Sequence, residues 1–272
     1  MTIDFSHWIF HLRPLSSYRN NVIMKNRYSK TVGYSPLEFV DHDKLLQVVR
    51  VNKMVIDEYF LAGKEDMILV AGAGLGHEAV LVNKEFHLRT LGVDLNIDSN
   101  SLPFEGLDME LQKQDLASLA FDGGIFSLVY CYHVLEHVTD HMTVLKELYR
   151  VLKPGGVLFI GFPNRNRLIS YIGTSQKASL FERIKWNIND YIYKMQGKFE
   201  NRLGAHAGFT EREFIEDASS VFDTIYTVRN RYMLTKYPNF GTLLTWIIKT
   251  KMEEVVFPSN YFICVKTEDE HE

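Results

Sequence analysis

The sequence has few cysteines, no long apolar run and no excess of basic residues. Cys131 and Cys264 are the only cysteines among 272 residues, and their separation does not match a metal site. Two isolated cysteines are typical of a reducing compartment rather than of a disulfide framework. No apolar run reaches the roughly 18 residues that a membrane span needs, and the polar Asp4, His7 and Arg13 do not fit a signal peptide. These absences predict a cytoplasmic protein.

The charge balance disfavours a nucleic-acid partner, because the formal net charge is −4. No cluster of histidines, cysteines and carboxylates has metal-ligand spacing, so we predict no metal site. A hydrophobic content of 46% is ample for a core, and the length suits one large domain with insertions or one domain with a cap.

Three glycines follow a short apolar run in the first third of the chain. The run Met67–Ala71 carries no charge, which is typical of a strand that is buried on both faces of a sheet. Gly72, Gly74 and Gly76 follow it directly, and the pattern from His77 onward is helical. Glycines at a strand-to-helix turn let the backbone bend sharply and let a ligand approach closely. The stretch therefore predicts a ligand-binding turn.

An acidic residue ends the next predicted strand, Leu91–Val93. This residue, Asp94, lies about 20 positions beyond the turn, where a ribose-binding acid is expected. A dinucleotide fingerprint would place its third glycine at position 77, but His77 occupies that position. The pattern indicates a pocket for a nucleoside-containing cofactor and disfavours an NAD-linked oxidoreductase. From the glycines alone, a purely structural turn remains an alternative.

Further apolar runs alternate with helical patterns along the chain. Strands are predicted at Met109–Gln114, Phe126–Cys131, Val157–Gly161, Phe222–Arg229 and Tyr261–Lys266. Helices are predicted from Ser35 to about Leu61, from about Asp140 to Leu152, and after Thr210, which forms a capping box with Glu213. Strands that alternate with helices at this spacing predict an α/β fold with a doubly wound parallel sheet.

Two blocks around the fourth and fifth predicted strands carry a family resemblance. The stretches 126–138 (FSLVYCYHVLEHV) and 148–158 (LYRVLKPGGVL) are similar to the corresponding blocks of class I S-adenosylmethionine-dependent methyltransferases, in the group that includes quinone-biosynthesis enzymes. The resemblance runs from about 67 to 164 and again from about 205 to 217. It implies a Rossmann-like sheet of seven strands whose last strand is antiparallel, and S-adenosylmethionine as the cofactor.

The resemblance also implies a set of cofactor-binding positions after the first four strands. The set comprises Gly72, Ala73, Gly74 and Gly76, then Asp94 and Leu95, then Asp115 and Leu116, and finally Cys131, Tyr132 and His133. By position, the first group would contact the methionine part, Asp94 the ribose hydroxyls, the third pair the adenine, and the last group the sulfonium. Ala73 departs from the cysteine or serine that often stands there.

Three histidines are candidates for a catalytic base, because imidazole titrates near neutral pH. His133 lies just past the fourth strand and is our first candidate. His206 is the second, because it resembles a histidine that many relatives carry before the helix opened by Phe209 and Thr210. His137 is expected to be structural. For each of them a hydrogen-bonded structural role is the alternative.

Segments outside the resemblance are expected to select the substrate. We divide the chain into an N-terminal arm and covering helix (1–62) and a methyltransferase domain (63–272), with lid insertions at about 165–203 and 232–258. Ligands of open parallel sheets bind beyond the carboxyl ends of the strands, so both insertions should enclose the acceptor there. An apolar stripe marks the first insertion: Leu180, Phe181, Ile184, Ile188, Tyr191, Ile192 and Met195.

Three interpretations of this stripe remain open. The favoured one is a lid helix that packs on the sheet domain. The second is peripheral membrane contact through the 180–195 helix, since Trp186 and a basic polar face suit a membrane surface. The third is a site for an acidic partner.

The sequence therefore predicts methyl transfer from S-adenosylmethionine to a small, apolar or aromatic acceptor, with O-methylation favoured over C- or N-methylation. Aromatic and aliphatic residues in both insertions suit such an acceptor better than a free sugar or nucleotide. One alternative is a polyprenyl-quinone-type methyltransferase at the membrane surface. Another is a catalytically silent binding module that keeps the fold.

Overall fold

A computed structural model describes residues 42–97, 104, 106–170, 180–201 and 207–267. The N-terminal arm, the predicted start of the first helix at Ser35, and His206 lie outside the described residues.

Seven strands and eight α-helices make up the described fold. The strands are β1 Met67–Ala71, β2 Arg89–Asp94, β3 Met109–Lys113, β4 Phe126–Tyr132, β5 Leu152–Pro163, β6 Thr224–Thr227 and β7 Ser259–Val265. The helices are α1 His42–Ile56, α2 His77–Phe86, α3 His141–Val151, α4 Leu180–Met195, α5 Glu211–Ala218, α6 Arg229–Lys236, α7 Gly241–Lys249 and α8 Glu253–Val256. Short 3₁₀ turns span Leu135–His137 and Pro238–Phe240.

The strands form one sheet in the order β3-β2-β1-β4-β5-β7-β6. Every pairing from β3 to β5 is parallel, whereas β7 runs antiparallel to both β5 and β6. The doubly wound sheet of seven strands with an antiparallel last strand is thus confirmed. Its carboxyl edge, where β1, β2, β3 and β4 end side by side, is the usual ligand-binding edge of such sheets.

Apolar layers cover both faces of the sheet. On one face, α1, α2, α6 and α7 pack over Val70, Tyr130 and Tyr132. On the other face, α3 and α5 pack over Ala71 and Cys131. Every residue of β4 is buried, as the uncharged run predicted. Successive β4 residues alternate between the two layers, because side chains in a strand point to opposite faces.

The fifth strand is longer than the predicted Val157–Gly161. It begins at Leu152, where the sequence predicts the end of the preceding helix, and so includes Gly155 and Gly156. Gly155 there has a φ of +73°, which favours glycine. Its N–H donates to the Lys266 carbonyl at 2.8 Å. Gly155 and Gly156 therefore join the sheet through backbone hydrogen bonds to Lys266, the residue after β7. The local sequence does not reveal this tertiary contact.

The first insertion presents its apolar stripe to the surface. All seven stripe residues of α4 are exposed, including Ile184 at 49% and Met195 at 80%. The opposite side of α4 packs inward through Trp186 and Asp190, which are both buried. The expected packing of this stripe on the sheet domain is therefore wrong.

A buried arginine anchors α4 to the segment after β5. The Arg167 guanidinium lies 3.6 Å from the Asp190 carboxylate, and both side chains are buried. Arg167 also donates to the carbonyl oxygens of Asn164 and Ala207. This ion pair fixes the inward face of α4, which leaves the apolar stripe outside.

The second insertion contributes to the core. Tyr232, Leu244 and Phe257 are buried in the layer that also contains α1 and α2. The two insertions also meet, since the Leu168 N–H donates to the Val255 carbonyl at 2.8 Å. No helix within the described residues is long and apolar enough to cross a membrane.

Candidate cofactor and acceptor site

The glycine turn after β1 adopts a backbone that other residues rarely adopt. Gly72, Gly74 and Gly76 have φ values of +77°, +57° and +94°. A Cβ on Gly72 would lie 2.3 Å from the Val134 side chain, so that position has no room for one. The turn therefore brings its backbone close to Val134, just past the end of β4.

Asp94 ends β2 beside this turn. Its Oδ2 accepts from the Gly74 N–H at 3.0 Å, and its Oδ1 accepts from the Asn96 N–H at 2.9 Å. The N–H groups of Gly72 and Ala73 both donate to the Val93 carbonyl at 2.9 Å, which holds the turn against β2. The carboxylate is thus fixed at the carboxyl edge.

Asp94 and Leu95 fit the nucleoside part of a cofactor. A carboxylate offers about four acceptor positions, so ribose hydroxyls can join the two backbone donors on Asp94. Leu95, the next residue, is 55% exposed and gives an apolar surface for a base.

The structure separates the two residues predicted after β3. Asp115 is exposed, and its Oδ1 accepts from the Ala117 N–H at 2.9 Å. The Leu116 side chain is buried in the layer that contains α3. Only the backbone of Leu116, together with Asp115, is therefore placed to contact a ligand at this edge.

The end of β4 combines a buried thiol with an aromatic wall. Burial raises the pKa of Cys131 far above its ordinary value, so the thiol stays neutral. The ring of Tyr132 points to the opposite layer and stacks 6.3 Å from that of Tyr261, which in turn stacks 3.8 Å from Tyr232. Burial likewise raises the pKa of Tyr261 to about 12. These hydroxyls are neutral hydrogen-bonding groups at neutral pH.

Lys236 lies against the same wall, with its Nζ 3.3 Å from the Tyr232 hydroxyl and 5.5 Å from the Tyr237 ring centre. Burial lowers the pKa of Lys236 well below its ordinary value. The sheet contributes Tyr132 and Tyr261 to this wall and the second insertion contributes Tyr232 and Tyr237, so the wall is a buried aromatic cluster with a few polar groups.

His133 follows β4 directly and has a strained backbone. Its φ of +55° is uncommon for a residue with a side chain, and such strain concentrates at functional sites. The His133 N–H donates to the Gly161 carbonyl at 2.7 Å, and its ring meets that of Tyr132 edge-on at 4.6 Å. The imidazole is therefore held against Tyr132 at the carboxyl end of β4.

Glu136 is a residue of this site that the sequence reading missed. Its Oε1 lies 3.2 Å from His133 Nδ1 and 4.0 Å from His137 Nε2, and its side chain is fully buried. Burial opposes ionisation, but the His133 hydrogen bond and the charges of His137 and His133 hold the pKa of Glu136 below its ordinary value. The His-x-x-Glu spacing, which places both side chains on one turn, was the available signal.

The predicted cofactor positions thus gather at one edge. The glycine turn, Asp94, Leu95 and the residues Cys131–His133 line the carboxyl ends of β1, β2 and β4, and Asp115 extends the row at β3. Within the described residues, no group of histidine, cysteine and acidic side chains could hold a metal ion.

Sequence comparison relates this part of the chain to known proteins. Residues 69–160 match the family model for a methyltransferase domain. A ubiquinone biosynthesis O-methyltransferase from Coxiella burnetii is 31% identical over 127 residues, which cover 45% of this chain and 53% of that protein. The Psychrobacter arcticus protein of the same name is 26% identical over 190 residues, which cover 66% of this chain and 72% of that protein. The Coxiella match spans about half of that relative's length.

Structural comparison gives the same fold. A solved structure of phosphoethanolamine N-methyltransferase 2 from Haemonchus contortus, in complex with S-adenosyl-L-methionine, superposes with a TM-score of 0.50 at 16% identity. The superposition covers 84% of this chain and 57% of that protein. At this identity the likeness concerns the fold alone.

Proposed function

We propose, from the class I S-adenosylmethionine-dependent methyltransferase domain that this chain carries, that the protein transfers a methyl group to a small apolar or aromatic acceptor. Oxygen is the favoured acceptor atom, because a basic residue stands where a hydroxyl proton would have to leave. The observation that carries the proposal is the row formed by the glycine turn, Asp94 and His133 along one edge of the sheet.

In this proposal the cofactor is held by the carboxyl ends of four strands. The glycine turn receives the methionine part, Asp94 binds the ribose hydroxyls, and Leu95 and Asp115 flank the adenine. When bound, S-adenosylmethionine supplies an activated methyl group, so the protein contributes mainly positioning and the exclusion of water.

His133 is the base in this proposal. Its Nδ1 faces the Glu136 carboxylate at 3.2 Å, so a proton on Nδ1 would fix the tautomer that leaves Nε2 as the acceptor of a hydroxyl proton. The ionised Glu136 would then stabilise the imidazolium that forms. Tyr132, whose ring meets that of His133 edge-on, is the aromatic residue beside which a phenolic or quinol-like acceptor would lie.

Methyl transfer can be tested with the purified chain and methyl-labelled S-adenosylmethionine. We expect label in phenolic or catechol-type acceptors from a panel that also contains amines and free sugars. Cofactor binding without transfer to any member would support the alternative of a silent binding module. Labelling of amines alone would contradict the preference for oxygen.

The exposed stripe of α4 supports a second candidate function, methylation of a membrane-embedded quinone precursor. The relatives from Coxiella and Psychrobacter are named for ubiquinone biosynthesis. The stripe is flanked by exposed Lys185, and an apolar face with basic neighbours suits an anionic membrane surface. In this reading α4 brings the site to a lipid acceptor.

Replacing both Ile184 and Ile188 with serine should weaken binding to vesicles of phosphatidylglycerol and phosphatidylcholine about 10-fold or more. The reason is that both isoleucines are exposed in the protein and would be buried in lipid on binding, a gain that serine does not provide. Co-sedimentation measures the vesicle binding. Met54→Ser is the matched control, since Met54 is exposed to a similar degree (55%, against 49% for Ile184) but lies on α1. Equal vesicle binding by all three proteins would reject the membrane reading.

A further inference from the structure

A second acidic group lies beside the glycine turn and has no part in the site described so far. Glu78 is in the first turn of α2, two residues beyond Gly76. Its Oε1 accepts from the Tyr130 hydroxyl at 2.7 Å, and the Tyr130 hydroxyl in turn accepts from Asn52 Nδ2. Three elements, α1, α2 and β4, thus meet at this carboxylate.

The network places the Glu78 carboxylate over the strand that leads into the turn. Tyr130 pairs in register with Val70 of β1, two residues before Gly72, and both side chains belong to the layer that α2 covers. The carboxylate is therefore held on the same side of the sheet as Tyr132, next to the glycine turn that receives the methionine part in the proposed function.

The charge of Glu78 is not balanced by the protein. Among the described residues no lysine, arginine or histidine forms an ion pair with it, and its hydrogen-bond donor is a neutral phenol. Asn52, at 0% exposure, leaves its Oδ1 without a donor in the described part of the chain, so the network is strongly desolvated. An unpaired acid in such surroundings is costly, which makes it a candidate for a functional role.

We propose that Glu78 binds the α-ammonium group of the cofactor's methionine part. Tyr130 and Asn52 position the carboxylate, and the cofactor supplies the cation that the protein lacks. This assignment rests on the proposed function, since it requires an S-adenosyl ligand. It adds a cofactor-binding residue that neither the glycine turn nor Asp94 indicates.

Titration of Glu78 follows from its burial, which raises its pKa to about 7. Tyr130 and Tyr132 of β4 lie on the same face of the sheet as Glu78, and Cys131 lies between them on the opposite face. Burial raises the pKa values of all three groups, which are therefore neutral near pH 7. A bound ammonium would favour the ionised acid. Cofactor binding near pH 7 should thus release protons, and affinity should fall as the pH drops below 7 and Glu78 becomes neutral.

Calorimetry with two ligands tests the assignment. S-Adenosylhomocysteine has the α-ammonium group, whereas 5′-methylthioadenosine has the same nucleoside and sulfur without the amino-acid end. Glu78→Gln keeps a group for Tyr130 but removes the charge. We expect it to weaken S-adenosylhomocysteine binding about 10- to 100-fold, as for the loss of a charge-assisted hydrogen bond, and to leave methylthioadenosine binding within about 2-fold.

Two further readouts separate this role from a structural one. Wild type should release protons on binding S-adenosylhomocysteine at pH 7, as seen in buffers of different ionisation enthalpy, and the Glu78→Gln variant should not. Glu85→Gln, at the far end of α2, is the matched control and should bind like wild type. The variant's thermal melting curve at pH 8 checks that it is folded.

The possible failures are distinguishable. If wild type binds neither ligand, the proposed function is wrong. If wild type binds both and Glu78→Gln binds S-adenosylhomocysteine equally well or more tightly, only the assignment of Glu78 is overturned. Equal weakening of both ligands by Glu78→Gln would also overturn it, because the effect would then lie in the fold of the turn and not in the ammonium contact.

Discussion

Replacing His133 with alanine should lower kcat about 10²- to 10⁴-fold while cofactor affinity is largely kept, because a positioned base typically contributes that much. The expected loss depends on the contact of its Nδ1 with buried Glu136, 3.2 Å away. Turnover of the best acceptor from the panel, measured from pH 6 to pH 9, should also lose its dependence on a group that must be deprotonated.

His137→Ala is the matched control for this change. His137 lies on the 3₁₀ turn that also contains Glu136, with its Nε2 4.0 Å from the Glu136 carboxylate, and we expect it to act structurally. Unchanged kcat and an unchanged pH profile in His133→Ala would mean that His133 only shapes the pocket. Methyl transfer would then proceed by positioning alone.

Replacing Asp94 with alanine should weaken cofactor binding by on the order of 2–5 kcal/mol if two ribose hydroxyls donate to its carboxylate. Part of the loss would come from the turn, because the Gly74 and Asn96 N–H groups lose their acceptor. Calorimetry with S-adenosylhomocysteine measures the effect, and methylthioadenosine should lose affinity by a similar factor because it has the same ribose.

Asp108→Ala is the control for Asp94→Ala. Asp108 is an exposed acid that precedes β3 and lies near Arg89, at the opposite end of β2 from Asp94. A folded Asp94→Ala protein with wild-type affinity would reject the ribose assignment. It would leave the fold and the glycine turn unaffected.

The central strands β1 and β4 were predictable because each is a short uncharged run. Met67–Ala71 is a strand with the predicted bounds, and Thr210 caps α5 in the predicted capping box with Glu213. The helix predicted from about Asp140 is α3, which the Asp140 side chain caps. Local rules suffice there, since burial on both faces leaves little choice of residue. The predicted bounds of the outer strands were less accurate, since β6 covers only Thr224–Thr227 of the predicted run Phe222–Arg229.

The orientation of α4 was not predictable from its pattern. An amphipathic stripe fixes which residues share a face, but not whether that face meets the protein or its surroundings. The deciding contact is the buried pair of Arg167 and Asp190, which come from separate segments. The apolar periodicity predicted that the stripe would face the protein, whereas the side that carries Asp190 does so.

The polar network of the site also required tertiary structure. Asn52 was visible in the sequence as a polar interruption in an apolar stripe, which is a signal for a buried partner. Its partner Tyr130 lies 78 residues away in the sequence. Glu78 follows the glycine turn, and its position alone does not show that it contacts Tyr130. The strained φ of His133 depends on its bond to Gly161 and could not be read from residue type.

The most direct test of the account is the small molecule that the purified protein carries or binds. Mass spectrometry after denaturation should detect S-adenosylhomocysteine or S-adenosylmethionine, and calorimetry should give a saturable titration with S-adenosylhomocysteine and none with NAD. Saturable binding of NAD, with no affinity for either S-adenosyl compound, would contradict the account.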